Sequence, residues 1–312
     1  MAKENKRLRK KKREVLVSLF FFLPFHHRLA LDNWLRGRKE AREIRQADVV
    51  IVSPPKCGRT WVRVLLSRFF QICHGLPDDR LLGFDNYHRL CPAVPKIRFT
   101  HDKYVSDYTG EGDTKRTFYD KKVILLVRDP RDVVVSNYFQ WIITINPFKK
   151  KARRVPDDPK SVPLYDFFLD PELGVRKTIR FLNAWESELP KTKDCLIVRY
   201  EDLKADTEAV LKRMLSFMAL AYSEEQVRAA VDYASFENMR ALEKSNTFDS
   251  GSRRLAAKNP DDASALKVRR GKVGGYRDYF SNEEIAHIDG LVEAQLSPIY
   301  GYTRRSHDLP AA

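Results

Sequence analysis

The segment S-P-P-K-C-G-R-T-W at 53–61 holds the densest chemistry in the chain. It follows the β-branched run Val49–Val52 and precedes apolar residues at helical spacing over Thr60–Ile72, so it reads as strand, turn and helix. Backbone N–H groups at such a turn, with the positive end of the helix, hold a phosphate or a sulfate. Lys56 adds a mobile full charge, and Gly58 lets the backbone approach the ligand where a Cβ would obstruct it. An ordinary strand-to-helix turn has the same outline. The nucleotide-triphosphatase pattern G-x-x-x-x-G-K-[ST] is absent, because here the lysine precedes the glycine and residue 53 is serine. Arg128 follows another apolar run, Val123–Val127, and Arg269 and Arg270 stand beside Gly271. An arginine fork matches a phosphate better than a point charge does. His101 closes K-I-R-F-T-H, and an imidazole with an ordinary pKa of about 6.5 accepts a proton near neutral pH. Read singly, each has a plainer role: Arg128 with Asp129 and Asp132 makes a surface ion-pair cluster, Arg269–Arg270 a solvated charge run, Trp61 a core side chain and His101 a structural histidine.

These residues need elements to bring them together. Val49–Val52, Ile97–Thr100, Val123–Val127 and Leu196–Val198 have strand length and composition, each with a polar switch at its carboxyl end. Helical periodicity fills Thr60–Ile72, Asp132–Ile143, Val175–Leu189 and Thr207–Leu220, and Ser223 with Gln226 and Ser281 with Glu284 spell capping boxes. Alternating strands and helices predict an α/β class, a P-loop-like three-layer α/β/α fold with a central parallel sheet. Ligands of such sheets sit at the carboxyl ends of the strands, where the lysine turn, Arg128 and His101 all fall.

The 312 residues are 43% hydrophobic, enough to bury a sizeable core, and carry a formal charge of +15. Residues 1–47 hold 14 basic and 5 acidic side chains, so +9 of the excess lies there and +6 in the rest. The expected division is an N-terminal extension over 1–47, a catalytic domain over 48–304 and a tail over 305–312. Lys3, Lys6, Arg7, Arg9, Lys10, Lys11, Lys12 and Arg13 lead into an apolar run from Val15 to Phe25. That run is too short to span a bilayer, which needs about 20 residues. Two readings of residues 1–25 stay open: a tail folded back on the domain, or an interfacial anchor on an anionic membrane surface. Arg36 to Gln46 reads as an exposed helix or linker. Cys57, Cys73, Cys91 and Cys195 form neither a C-x-x-C pair nor a zinc spacing, so no metal is expected. They fit a reducing compartment, and the expected location is cytoplasmic, with peripheral membrane attachment as the variant. Nucleic acid is not an expected partner, since the body's own excess is small and no recognised module appears.

Five segments in order resemble the sulfotransferases that use 3′-phosphoadenosine 5′-phosphosulfate (PAPS). P-K-C-G-R-T-W is similar to the family's P-K-[SC]-G-[ST]-T-W, departing at Arg59, and V-R-D-P-R-D-V-V-V-S-N-Y at 127–138 is similar to R-[ND]-P-[KR]-D-x-x-V-S. R-Y-E-D-L at 199–203, S-F-E-N-M-R at 235–240 and R-R-G-K-V-G-G-Y-R-D-Y-F at 269–280 complete the set. The resemblance implies that Lys56, Gly58, Arg59 and Thr60 surround the 5′-phosphosulfate. It implies that Trp61 stacks on the adenine, with Tyr200 and Phe236 lining its site. Arg128, Ser136, Arg269, Arg270 and Gly271 would hold the 3′-phosphate, and His101 would be the catalytic base, with Lys56 on the departing oxygen. The co-substrate is then PAPS, the product 3′-phosphoadenosine 5′-phosphate (PAP), and the partner a sulfate acceptor bearing a hydroxyl or an amine.

Departures from the pattern accompany the matches. Phe99 stands two before the base, where many cytosolic members carry lysine, and Gly275–Tyr276 replace an Asp-Trp pair. The family's dimerisation pattern K-x-x-x-T-V-x-x-x-E is not matched near 277–286. Acceptor identity falls to unassigned segments, with Phe139, Trp141, Phe148 and Tyr165 as candidate pocket walls and Lys149–Arg154 as a candidate anion contact. Glycan, lipid and small-alcohol acceptors all stay open. Competing functions are a P-loop-related kinase, against which the missing G-K-[ST] argues, and a membrane-surface binding protein acting through residues 1–25.

Overall fold

The computed structural model describes residues 15, 17–144, 161–248, 255–257 and 266–303. Four parallel strands, β1 (Val49–Val52), β2 (Ile97–Thr100), β3 (Lys122–Val127) and β4 (Asp194–Arg199), stand in the order β2-β1-β3-β4. β1 and the body of β3 are apolar on both faces, as strands covered by helices on either side must be, whereas β2 turns Ile97 and Phe99 into the core and Arg98 toward Glu40 and Glu43. Val49 and Ile51 of β1 with Ile124 and Leu126 of β3 enter one core, and Val50 and Val52 with Val123, Leu125 and Val127 enter the other. Successive side chains alternate across the pleat, so one run of residues serves two cores.

Helix α2 (Arg59–His74) covers the first face with Leu65, Leu66, Phe69 and Phe70, all buried. Removing one such side chain from water contributes about 1.5–3 kcal/mol. After α3 (Val105–Thr109), helices α4 (Pro130–Thr144), α5 (Leu164–Leu169) and α6 (Val175–Glu188) serve chiefly the second core, where Trp185 is fully buried. Beyond β4, α7 (Tyr200–Ala205), α8 (Thr207–Phe217), α9 (Glu224–Tyr233) and α10 (Phe236–Lys244) return to the first core, and α11 (Asn282–Gln295) closes the second. Both expected capping boxes are present, Ser223 with Gln226 and Ser281 with Glu284.

One expectation is corrected. The charged stretch 36–46 is neither a linker nor wholly exposed: it is the second half of a 21-residue helix, α1 (Phe25–Arg45), that buries Gly37, Glu40, Ala41 and Ile44. Its polar face hid this narrow inner stripe. A Cβ on Gly37 would lie 2.0 Å from the carbonyl oxygen of Tyr104, so only glycine lets the helix pack this close. Lys149–Arg154 and Phe148, candidates for acceptor contacts, lie outside the described residues.

Candidate active site

A cavity of about 560 Å³ opens at the carboxyl ends of the strands. Lys56, Gly58, Arg59, Thr60, Trp61, His101, Arg128, Ser136, Tyr200, Phe236, Arg269, Arg270 and Gly271 all line it. Residues spread over more than 200 positions thus meet because the turns and helices that follow strand ends, the start of helix Phe236–Lys244 and the 269–276 loop converge on one side of the sheet.

The turn after β1 takes left-handed backbone at Lys56 (φ 71°) and Gly58 (φ 80°). At Gly58 a Cβ would come within 2.9 Å of the Tyr200 ring, so glycine is needed on conformational and steric grounds alike. Lys56 Nζ donates to Gln140 Oε1 at 3.0 Å. Burial first, then the neighbouring Arg128 charge, pushes the Lys56 pKa down to about 8. An ammonium held this way is short of negative charge, which an anionic ligand supplies.

Arg128 ties three pieces together. Its guanidinium donates to the carbonyl of Lys56 (3.4 Å) and to the carbonyl of Lys272 (3.1 Å), and lies over the Tyr200 ring at 4.2 Å. Asp132, one helical turn on, accepts the backbone N–H groups of Gly274 and Tyr276 at 2.9 Å each and so fastens the 269–276 loop to α4. Arg269 lies over Phe139 (4.0 Å) and donates to the Tyr279 hydroxyl (2.6 Å). Arg270 bonds Tyr279 at 3.0 Å and pairs with Asp278, so its guanidinium is engaged at the rim. Gly271 (φ 60°) passes beneath Phe236, whose ring would stand 3.0 Å from an added Cβ. Trp61, anchored by its indole N–H on the Ala234 carbonyl (2.9 Å), meets Tyr200 edge-on at 5.9 Å. Trp61, Tyr200 and Phe236 give this end an aromatic wall.

His101 closes the opposite end. Its Nδ1–H donates to the Ser53 carbonyl at 2.8 Å, which assigns the tautomer and leaves Nε2 with a free electron pair, directed at the Arg59 guanidinium. Burial, reinforced by Arg59, pushes the imidazole down to about 3, so it is neutral at physiological pH. The next residue, Asp102, takes left-handed backbone (φ 45°), donates its N–H to Thr100 Oγ1 (2.8 Å) and pairs with Lys115 Nζ at 2.9 Å. Thr100 in turn hydrogen-bonds Glu40 of α1. The guanidinium of Arg63 lies 3.7 Å over the ring of Phe99.

Gln140 and Lys267, which line the cavity, and the Asp102–Lys115 pair were not singled out in the sequence. Gln140 had a signal, since it lies four residues after Ser136 on the same helical face. Asp132 is inside a quoted motif but reads there as a surface charge. Lys115 has none, being joined to Asp102 only by tertiary folding. Of the candidate pocket walls, Trp141 lines the cavity, whereas Tyr165 packs against Phe280 (6.1 Å) and His287 (6.2 Å).

A parallel α/β/α sheet with a phosphate-type turn, arginines from two further loops and a neutral imidazole opposite suits group transfer from a phosphorylated nucleotide. Residues 46–299 match the family model described as a sulfotransferase domain, and the chain belongs to that family. Sulfotransferase 6B1 of Danio rerio is 24% identical, with 86% of this chain and 84% of that protein covered. Cytosolic sulfotransferase 14 of Arabidopsis thaliana is 28% identical over 80% of this chain and 75% of its own length. Among solved structures, mouse sulfotransferase SULT7A1 complexed with PAP has a similar fold, with a TM-score of 0.52, 19% identity and coverage of 82% and 89% of the two chains.

Proposed function

We propose that residues 48–304 form a catalytic domain that moves the sulfuryl group of PAPS to a hydroxyl or amine by in-line displacement, with His101 as general base. The observation that carries this reading is that one cavity has the cationic turn and arginine loops at one end and a neutral imidazole at the other. The fit to a 3′-phosphorylated adenine nucleotide rests on the close approaches at Gly58 and Gly271, the aromatic wall and the buried Lys56 ammonium.

In this reading Lys56, Gly58, Arg59 and Thr60 hold the phosphosulfate, and Lys56 stabilises charge on the leaving oxygen. Trp61, Tyr200 and Phe236 take the adenine; Arg128, Ser136, Arg269, Arg270 and Gly271 take the 3′-phosphate. Arg59 has a second part. It occupies Nε2 of His101, so the base becomes available only when a phosphosulfate draws the guanidinium away. His101 then accepts the acceptor's proton on Nε2 while Ser53 holds Nδ1–H in place. The acceptor is a glycan, a lipid or a small alcohol, and residues 1–25 bind an anionic membrane surface peripherally. A cytoplasmic location goes with this reading, supported by the four free cysteines.

Calorimetric titration with PAP, AMP and ATP tests the nucleotide. At least a hundredfold preference for PAP is expected from the loss of charge-assisted bonds to the 3′-phosphate, each worth about 1.5–3 kcal/mol. Equal affinity for the three nucleotides overturns the assignment.

A further inference from the structure

Ahead of α1 the chain leaves large apolar side chains in water. Val15, Leu19, Phe21 and Phe22 are 57%, 62%, 77% and 68% exposed. Phe21 and Phe22 meet edge-on at 5.9 Å, and Phe20 and Phe22 stand 6.1 Å apart, so the rings form one apolar cluster. Pro24 separates the cluster from α1, and the sequence before it carries eight Lys and Arg residues between positions 3 and 13. Exposed rings beside a basic run match an anionic bilayer surface in both apolar and charge character. Among the described residues no helix is long and apolar enough to cross a membrane, so the match is to lying on it.

The position of α1 gives this segment a direction. Lys121 Nζ, at the start of β3, donates to the Arg45 carbonyl, whereas Glu40 meets Thr100 at the end of β2 and Gly37 abuts Tyr104, three residues after His101. The helix therefore runs antiparallel to the strands. Its remaining first turns, Phe25 to Arg36, continue about 18 Å past the carboxyl edge of the sheet at about 1.5 Å per residue. Trp34, 38% exposed and 5.3 Å from the Tyr108 ring, lies on this stretch, and such amphipathic rings favour a membrane boundary. The apolar cluster is thus carried to the side of the molecule on which the cavity opens, away from Asp194 at the amino end of β4.

We infer that residues 15–24 seat in the interface of an anionic phospholipid bilayer and that α1 holds the mouth of the cavity toward that surface. Docked this way, a lipid acceptor reaches His101 without leaving the bilayer. That consequence rests on the sulfuryl-transfer reading; the docking does not.

The full chain should float with vesicles of equal parts phosphatidylcholine and phosphatidylglycerol and stay behind with phosphatidylcholine alone. Phe21→Ser/Phe22→Ser should weaken flotation about tenfold or more, since both the apolar and the basic signal are needed for stable attachment. Hydrogen exchange on the anionic vesicles should slow in segments 15–24 and 104–109 and leave 189–195 unchanged. Absent flotation, equal flotation of the double-serine variant, or protection at 189–195 in place of 104–109 overturns the inference. PAP affinity in solution, expected within about twofold of wild type because both rings are exposed, reads the nucleotide site separately: failure to bind PAP overturns the transfer reading and leaves the docking result standing.

Discussion

The two ends of the cavity are built by different means. At the cationic end the matched segments hold one another: Arg128 donates to the carbonyls of Lys56 and Lys272, Asp132 accepts from Gly274 and Tyr276, and glycines at 58 and 271 set the spacing to Tyr200 and Phe236. At the His101 end, the turn is fixed by charges outside those segments: Lys115 on Asp102, and Glu40 of α1 on Thr100. The cationic end therefore depends on contacts among the matched segments, whereas the His101 turn depends on how elements outside them dock.

The contrast is broken most directly at His101. His101→Ala should lower kcat/KM about a thousandfold, within the usual range for a general base, and leave PAP affinity within about threefold; a matching loss of PAP binding in titrations would show that the two ends are not separable. Lys115→Met strands the Asp102 carboxylate, which burial already pushes up to about 6. A loss of about 3 kcal/mol in urea unfolding is expected, as when one partner of a buried pair is removed, with a larger fall in kcat than in PAP affinity. Conversely, Gly271→Ala should weaken PAP binding about tenfold by calorimetry, since left-handed backbone and the Phe236 ring both resist a Cβ and together cost about 1–3 kcal/mol. At constant sequence, Lys56 supplies the smallest effect. Its pKa of about 8 in the free protein should rise when an anion binds, so PAP binding takes up protons above pH 8, seen as buffer-dependent heats that vanish in Lys56→Met.

His101 also carries a stability signature. Its folded pKa, about 3, lies below the ordinary 6.5, so the unfolded chain binds more protons between those values and stability rises with pH across that window. As pH falls from 7 to 5 the urea midpoint of the wild type should drop further than that of His101→Gln.

Much of the scaffold was legible because strand and helix periods are local. All four strands lie where β-branched runs stand, and both capping boxes form as spelled. Helix α1 was half missed, because its buried stripe of Gly37, Glu40, Ala41 and Ile44 includes a carboxylate and a glycine that read as solvent-facing. Phe99 shows the same limit: a missing lysine was visible, but that Arg63 lies over its ring was not.

By itself the sequence determined the family and marked its cationic segments, because a strand-turn-helix pattern, neighbouring arginines and glycines are legible in residue type and short-range spacing. Only the tertiary structure decided that His101 is neutral, that it is bonded to Ser53 through Nδ1 and covered by Arg59, and that α1 carries an apolar cluster to the side of the cavity. Burial, tautomer and direction depend on the packing of segments distant in sequence, which no local pattern encodes.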